Sequence, residues 1–539
     1  MKRWTRVLAI LLSLLMLLSL SACGEKPAEP IVRELIGEDA NAILLKNFES
    51  PLEYYRAVEQ RRAQELMSIG NMAAFTTAYA SGFGQADLTM SLDQSALERD
   101  LLDLVTEQVG FDLSWIKSLG LAYSFGRQDE LAAADIALRL NDTELLTFSG
   151  ILDQSTMDLF MSVPTLKESW MRLNYLELMD IAGSGIDLQQ FQELMSAYQF
   201  TPEEISSLAQ RYHELILNHV EKVDVTEGSV TVGGLENKCS IASVKLEGED
   251  LLRLAKVCLD AAAEDPTVEK LVSYFLLVSG KSSGSAEELH QKYTELMDEA
   301  REKLENTSPE DIKNASVLMD VYIDAKGEIL GRRVDLQQQG ETGAQLSYLT
   351  ARDGDKLGLE AEFAVKDEMN AAISGEGSFT QEGKLTGSFL VSATDMDSES
   401  DVLLPLFTMN VDGSLGKEGF LGTLELIPTT EALDKLCEAL GEDVPEPVTG
   451  LVRSLSLAVT NSSSQDKLDL RYALRSNARD LLTVSLTAAP AAPYAVTIPT
   501  ETVEPGDWAR SLGIAELNGI LNRLMEAGVP SSLINGVLG

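Results

Sequence analysis

Two stretches of this chain alternate residue by residue between apolar and polar side chains. Leu357, Leu359, Ala361, Phe363 and Val365 interleave with Lys356, Gly358, Glu360, Glu362 and Ala364. Leu468, Leu470, Tyr472 and Leu474 interleave with Lys467, Asp469, Arg471 and Ala473. A strand turns successive side chains to opposite faces, so this rhythm demands a sheet with one buried and one wet face, the antiparallel pattern. Turn signals punctuate the strands at Asp324 to Gly327, Asp353-Gly354, Glu382-Gly383 and Asp412-Gly413. An earlier meander reads as strands over 119–125, 135–140, 145–152 and 157–161.

Helices are marked by their starts. Ser50-Pro51-x-Glu53, Thr201-Pro202-x-Glu204, Ser285-x-x-Glu288 and Ser308-Pro309-x-Asp311 each set a capping hydroxyl three residues before a carboxylate. Ile205, Leu208, Tyr212, Leu215, Ile216 and Val220 then recur at helical spacing. A short helix is expected over about 430–440. Trp508, Leu512, Leu517, Ile520, Leu521 and Leu524 suggest a C-terminal amphipathic helix, docked on the body or exposed for a partner. The expected class is α+β: two similar lobes of long antiparallel meander packed on helices, plus the C-terminal helix. The expected division is a signal peptide at 1–22, a tether at 23–45, an N-terminal lobe at 46–305, a β-rich lobe at 306–500 and a helical tail at 501–539. No fixed repeat of solenoid length recurs.

Charge narrows function by exclusion. The chain carries 43 basic and 85 acidic side chains over 539 residues, a net charge of −42. Polyanion binding needs clustered Lys and Arg to displace counterions, so no nucleic-acid partner is expected. Three histidines leave little material for general-base or metal chemistry, and no cofactor is expected.

Lys2, Arg3 and Arg6 precede an apolar run from Val7 to Leu20, interrupted by Ser13 and Ser19. The run is too short for a mature membrane span and reads as a secretory signal. It ends in Leu20-Ser21-Ala22-Cys23-Gly24, which matches the lipobox of bacterial lipoproteins at every position. That resemblance implies cleavage before Cys23, a diacylglycerol on its thiol, and residence on the outer face of the cell membrane. The leader removes three basic residues and no acidic one, so the mature body is more acidic still.

Beyond the lipobox, three stretches resemble a family of Gram-positive surface lipoproteins carrying a domain of unknown function. They are Met161 to Trp170, Val244 to Leu252, and Val321-Tyr-Ile-Asp-Ala-Lys-Gly327-Glu-Ile-Leu-Gly331-Arg332. More distantly, each half resembles the LolA/LppX type of lipoprotein carrier, an antiparallel half-barrel cupping an apolar face over helices. The resemblance covers most of residues 45–500 and rests on strand rhythm. It implies a cavity for a lipid or other apolar ligand, and it transfers no functional residue.

The remaining chemical motifs fail on spacing. Gly280-Lys-Ser282-Ser-Gly284 satisfies G-x-S-x-G, yet the one histidine downstream, His290, stands eight residues on, in the helix that follows; a flexible linker fits better. Phe275 stands where a phosphate-binding loop needs its first glycine. His213 and His219 are not an i, i+4 pair, and Leu217 stands where H-E-x-x-H needs its second histidine. Asp395, Asp397, Glu399 and Asp401 make a weak calcium candidate; Ser400 and Leu406 depart from the EF-hand pattern, and a solvated acidic loop fits better. Of the mature cysteines other than Cys23, Cys239 and Cys258 can be bridged or, the favoured reading, sit as free core thiols; Cys437 is left over.

The expectation is therefore a non-catalytic envelope lipoprotein that binds an apolar or amphipathic ligand, or an envelope protein, on a concave sheet. The alternatives are an envelope hydrolase using paired carboxylates, and a structural or adhesive surface module.

Overall fold

The computed structural model describes residues 43–67, 82–96, 106–107, 114–153, 155–156, 158–174, 202–278, 286–366, 369–380, 382–394, 403–416, 419–440, 445–464 and 466–538. Helix α1 (Pro51–Met67) comes first, then β1 (Gly84–Leu92), β2 (Ser118–Gln128), β3 (Leu131–Leu140), β4 (Thr143–Asp153), β5 (Asp158–Val163) and β6 (Lys167–Asn174). Next come α2 (Pro202–His219), the hairpin β7 (Val223–Val232) and β8 (Leu235–Glu247), and α3 (Gly248–Glu264), α4 (Pro266–Val278), α5 (Ala286–Glu305) and α6 (Pro309–Ile312). A long meander runs through β9 (Ala315–Ile323), β10 (Ile329–Gln338), β11 (Glu341–Asp353), β12 (Lys356–Val365), β13 (Met369–Phe379), β14 (Lys384–Thr394), β15 (Leu403–Gly416) and β16 (Gly419–Pro428). The chain closes with α7 (Thr430–Leu440), α8 (Glu446–Ser454), β17 (Leu455–Asn461), β18 (Leu468–Ser476), β19 (Arg479–Pro490), β20 (Thr502–Val503), α9 (Pro505–Arg510), α10 (Ile514–Glu526) and α11 (Ser531–Leu538). The class is α+β, with extensive and mostly antiparallel sheet.

All four helix starts expected from capping signals appear. At α1 the Ser50 hydroxyl accepts from the Glu53 amide at 3.2 Å, and the Glu53 carboxylate accepts from the Glu49 amide at 3.1 Å, satisfying donors that a helix end leaves orphaned. Several hairpins close on two-residue turns with both φ angles positive, the type I′ geometry that matches strand twist: Asn141-Asp142, Gly233-Gly234, Gln339-Gly340 and Asn477-Ala478. Asp412-Gly413 is not a turn. Both lie inside β15, opposite Thr386 and Leu385, because the alternation of Phe407, Met409 and Val411 carries the strand through them. The C-terminal helix is three short ones, broken at Gly513 and at Gly528-Val529-Pro530.

The chain divides into two compact units interleaved in sequence: Met1–Asn71 with Asp187–Phe420, and Met72–Ile186 with Leu421–Gly539. The sequence-based boundary at 305/306 falls inside the first unit, between α5 and β9. In the first unit, β7 to β15 pair successively, each antiparallel to the next. In the second, the order is β16, β17, β18, β19, β1, β2, β3, β4, β5, β6, again antiparallel, with β20 parallel to β6. The pairing of β1 with β19 joins distant parts of the chain into this unit; nothing local in the sequence signals it.

The first unit has a helix-covered core. Tyr54, Tyr55 and Val58 of α1, with Leu217 and Val220 at the end of α2, bury Val223, Ala242, Val244, Val321 and Ile323 of the sheet. At the far end of β7 the sheet curls tightly. A Cβ on Gly358 would stand 2.5 Å from the Val232 carbonyl oxygen, and Asn237 donates to the Arg352 carbonyl at 2.8 Å.

Candidate functional site

The second unit carries an apolar surface of a different kind. The register sets Leu470 of β18 opposite Leu486 of β19, then Leu88 of β1, Leu121 of β2, Leu138 of β3 and Leu146 of β4, a row of leucines across six strands. The flanking rows on that face are Tyr472, Val484, Met90, Leu119 and Leu140 on one side, and Leu468, Ala488, Ala86, Tyr123, Ile136 and Phe148 on the other. No charged side chain interrupts these three rows. At a strand spacing near 4.8 Å, six strands span about 24 Å across the sheet.

One end of this face is covered. Trp508 of α9 packs with Val163 and Met171, and with Leu146, Phe148 and Leu512 around them. The Arg523 guanidinium donates to the Leu145 carbonyl at 3.3 Å, and the Asn141 amide donates to the Ala527 carbonyl. Among the described residues the cover stops beyond β4. Leu88 is 41% exposed, Leu119 45%, Leu121 38% and Leu138 38%; Met90, Tyr123, Ile136 and Tyr472 are exposed to a similar degree. Scattered surface leucines are ordinary, but a contiguous apolar field of this size is not.

The opposite face of the same strands is polar. Its central rows run Asp469, Thr487, Asp87, Ala122, Ala137, Thr147 and Arg471, Ser485, Thr89, Gly120, Arg139, Glu144. Asp87 pairs with Arg139 at 2.7 Å and accepts from the Thr89 hydroxyl at 2.6 Å; Asp135 accepts from Ser124 at 3.2 Å. A cleft of about 490 Å³ opens chiefly on this side, floored by Ala122, Ala137 and Thr487 and edged by Asp87, Asp135 and Arg139. The concavity thus mixes charged edges with small apolar walls, and the leucine rows form a separate, open face.

A second cluster of chemistry lies inside the first unit. Arg332 of β10 sits in a cross-strand row that otherwise reads Val225, Ala242, Val321, then Tyr348, Ala361 and Ile373. Glu59 of α1 answers it: the carboxylate is nearly fully buried and accepts from the Arg332 guanidinium at 2.6 Å. Burial is the largest single effect and opposes the Arg332 charge, but Glu59 beside it, acting with Tyr348 and Tyr55, outweighs burial and holds its pKa above the ordinary value. Burial, reinforced by Glu59, pushes the Tyr55 phenol well above its usual range. His213 of α2 stands 3.9 Å from the same carboxylate oxygen, and burial lowers its pKa, with Glu59 pulling it up and Arg332 pushing it down. This ion pair was not anticipated from the sequence; the apparent oddity of Arg332 among apolar partners becomes visible only once the register is known.

Cys23 and the lipobox residues Leu20, Ser21, Ala22 and Gly24 lie outside the described residues, as do Asp395, Asp397, Glu399, Asp401 and Ser282. Cys239, Cys258 and Cys437 are free, the first two buried. Burial raises the Cys239 thiol and pushes Cys258 up to about 11, which disfavours the reactive thiolate. His219 bonds the Leu215 carbonyl oxygen of its own helix at 2.8 Å, and His290 contacts Glu269 at 2.6 Å on the surface, so the three histidines do not converge. Among the described residues no cluster of three or more His, Cys, Asp or Glu is placed to hold a metal ion, and no helix is long and apolar enough to cross a membrane. No protein-family model matches the chain, and no curated protein matches it.

Proposed function

We propose that this is a non-catalytic lipoprotein of the cell envelope, anchored through acylated Cys23. In this reading the leucine face of the second unit binds an apolar or amphipathic ligand, or the apolar surface of a neighbouring envelope protein. The observation that carries it is the six-leucine row, uncharged along its length and half open to solvent beyond β4. The likeness to half-barrel carriers belongs to the same proposal. The carboxylates that support a hydrolase least are those with displaced pKa values: Asp93, Asp153, Glu247, Glu341 and Glu516 all move down, held by hydrogen bonds in turns, caps and ion pairs. A glycosidase acid needs the reverse.

The test is a titration of the chain from residue 23 onward with a fluorescent fatty acid. Saturable binding is expected. Replacing Leu88 and Leu121 together by lysine should weaken it about tenfold or more, because two charges would be placed on the apolar surface. Arg139→Gln, on the opposite face, should leave it unchanged. Absence of saturable binding, or full binding by the double lysine variant, overturns the reading.

A further inference from the structure

In the first unit the apolar sheet face lies under two helices that belong to different parts of the chain. The ion pair of Glu59 with Arg332 joins α1 to the sheet within that buried layer, and His213 of α2 reaches the same carboxylate oxygen. The other oxygen of Glu59 and the Nε of Arg332 are buried without a hydrogen-bond partner. A buried pair so sparsely satisfied adds little net stability, yet it is costly to disturb from either side. We propose that Glu59, Arg332 and His213 form an acid-sensitive latch holding α1 and α2 over the sheet of the first unit.

With His213 neutral, the single carboxylate serves Arg332. Protonating His213 places a second cation in the same buried layer, where one carboxylate must answer two positive groups. The charged groups acting on His213 are Glu59 from α1, Arg332 from β10 and Glu214 from its own helix. The folded protein resists this protonation more than the unfolded chain does, since burial is the leading effect on the imidazole. The stabilisation is therefore complete above the ordinary histidine value near 6.5 and is lost as pH falls from there towards the lowered folded value. Loosening the latch uncovers Val225, Ala242 and Val321, a surface of the kind that the second unit leaves open.

Hydrogen exchange followed by mass spectrometry on the mature chain at pH 7.5 and 5.5, corrected for intrinsic rates, tests the latch. Opening of peptides over 51–62 and 208–220 should increase up to about tenfold at pH 5.5, the ceiling that linkage allows for one group across that interval. Peptides from β2 and β3 should not change. His213→Gln should abolish the pH dependence, and His213→Asn serves if the glutamine variant does not fold. Equal protection of the wild-type helices at both pH values, the same dependence in a folded His213 variant, or simultaneous opening of β2 and β3 overturns the proposal.

Discussion

Both units present an apolar sheet face, and they finish it differently. In the first, α1 and α2 lie across it, so that Ala242, Val321 and Ile323 are fully buried. In the second, the C-terminal helices cover the β4 to β6 end, while Leu88, Leu119 and Leu121 retain about two-fifths of their surface. Folding alone accounts for the covered face, because burial of alternating apolar rows is the main favourable term in such a domain. It does not account for the open one, which carries a solubility cost that a chain with 85 acidic residues can carry. The covered face also tolerates one internal charge, Arg332, because a helix supplies Glu59 to meet it; the rows of the open face contain none.

The comparison can be broken in several places. The largest effect is expected from Arg332→Met, which leaves Glu59 buried without its partner and should cost the first unit about 3–5 kcal/mol. Replacing both residues by leucine should recover most of that loss. In the chain from residue 23 onward, which omits Trp4, the tryptophans Trp115, Trp170 and Trp508 all belong to the second unit, so tryptophan fluorescence reports that unit during urea unfolding while circular dichroism reports both. Arg332→Met should therefore move the dichroism transition and leave the fluorescence transition in place. A smaller contrast pits the two faces against each other: Ile323→Ala should cost about 2–5 kcal/mol, whereas Leu88→Ala should cost about 1 kcal/mol or less. Equal losses at the two sites would mean that the second face is covered in solution. The smallest effect belongs to the polar side. Asp87→Asn removes a half-exposed ion pair with Arg139 and should change stability by no more than about 1 kcal/mol, falling further in high salt.

Much of this architecture was legible because its causes are local. Capping hydroxyls and N1 prolines announced the starts of α1, α2, α5 and α6, and alternation announced β12 and β18. Residue pairs such as Asn141-Asp142, between β3 and β4, help set the register of their hairpins and so bring Leu138 opposite Leu146. Asp412-Gly413 misled because glycine and aspartate also occupy strand positions when their neighbours keep the rhythm. Strand β1 passed unnoticed, although Ala86, Leu88, Met90 and Leu92 alternate, and with it went the leucine row, since β1 is the strand that joins β2 to β19. The interleaving of the two units and the Glu59–Arg332 pair depend on contacts between distant parts of the chain. Such contacts are chosen by the whole core, and no short window of residues encodes them.

The central claim is that one apolar face is closed and the other open, and hydroxyl-radical footprinting of the mature chain reads this residue by residue. Met90, Leu119, Leu121 and Tyr123 should be modified readily, Tyr54 and Tyr55 hardly at all, and a bound fatty acid should protect the first group alone. Protection of Leu119, Leu121 and Tyr123 to the level of Tyr54 and Tyr55 in the ligand-free chain would contradict it.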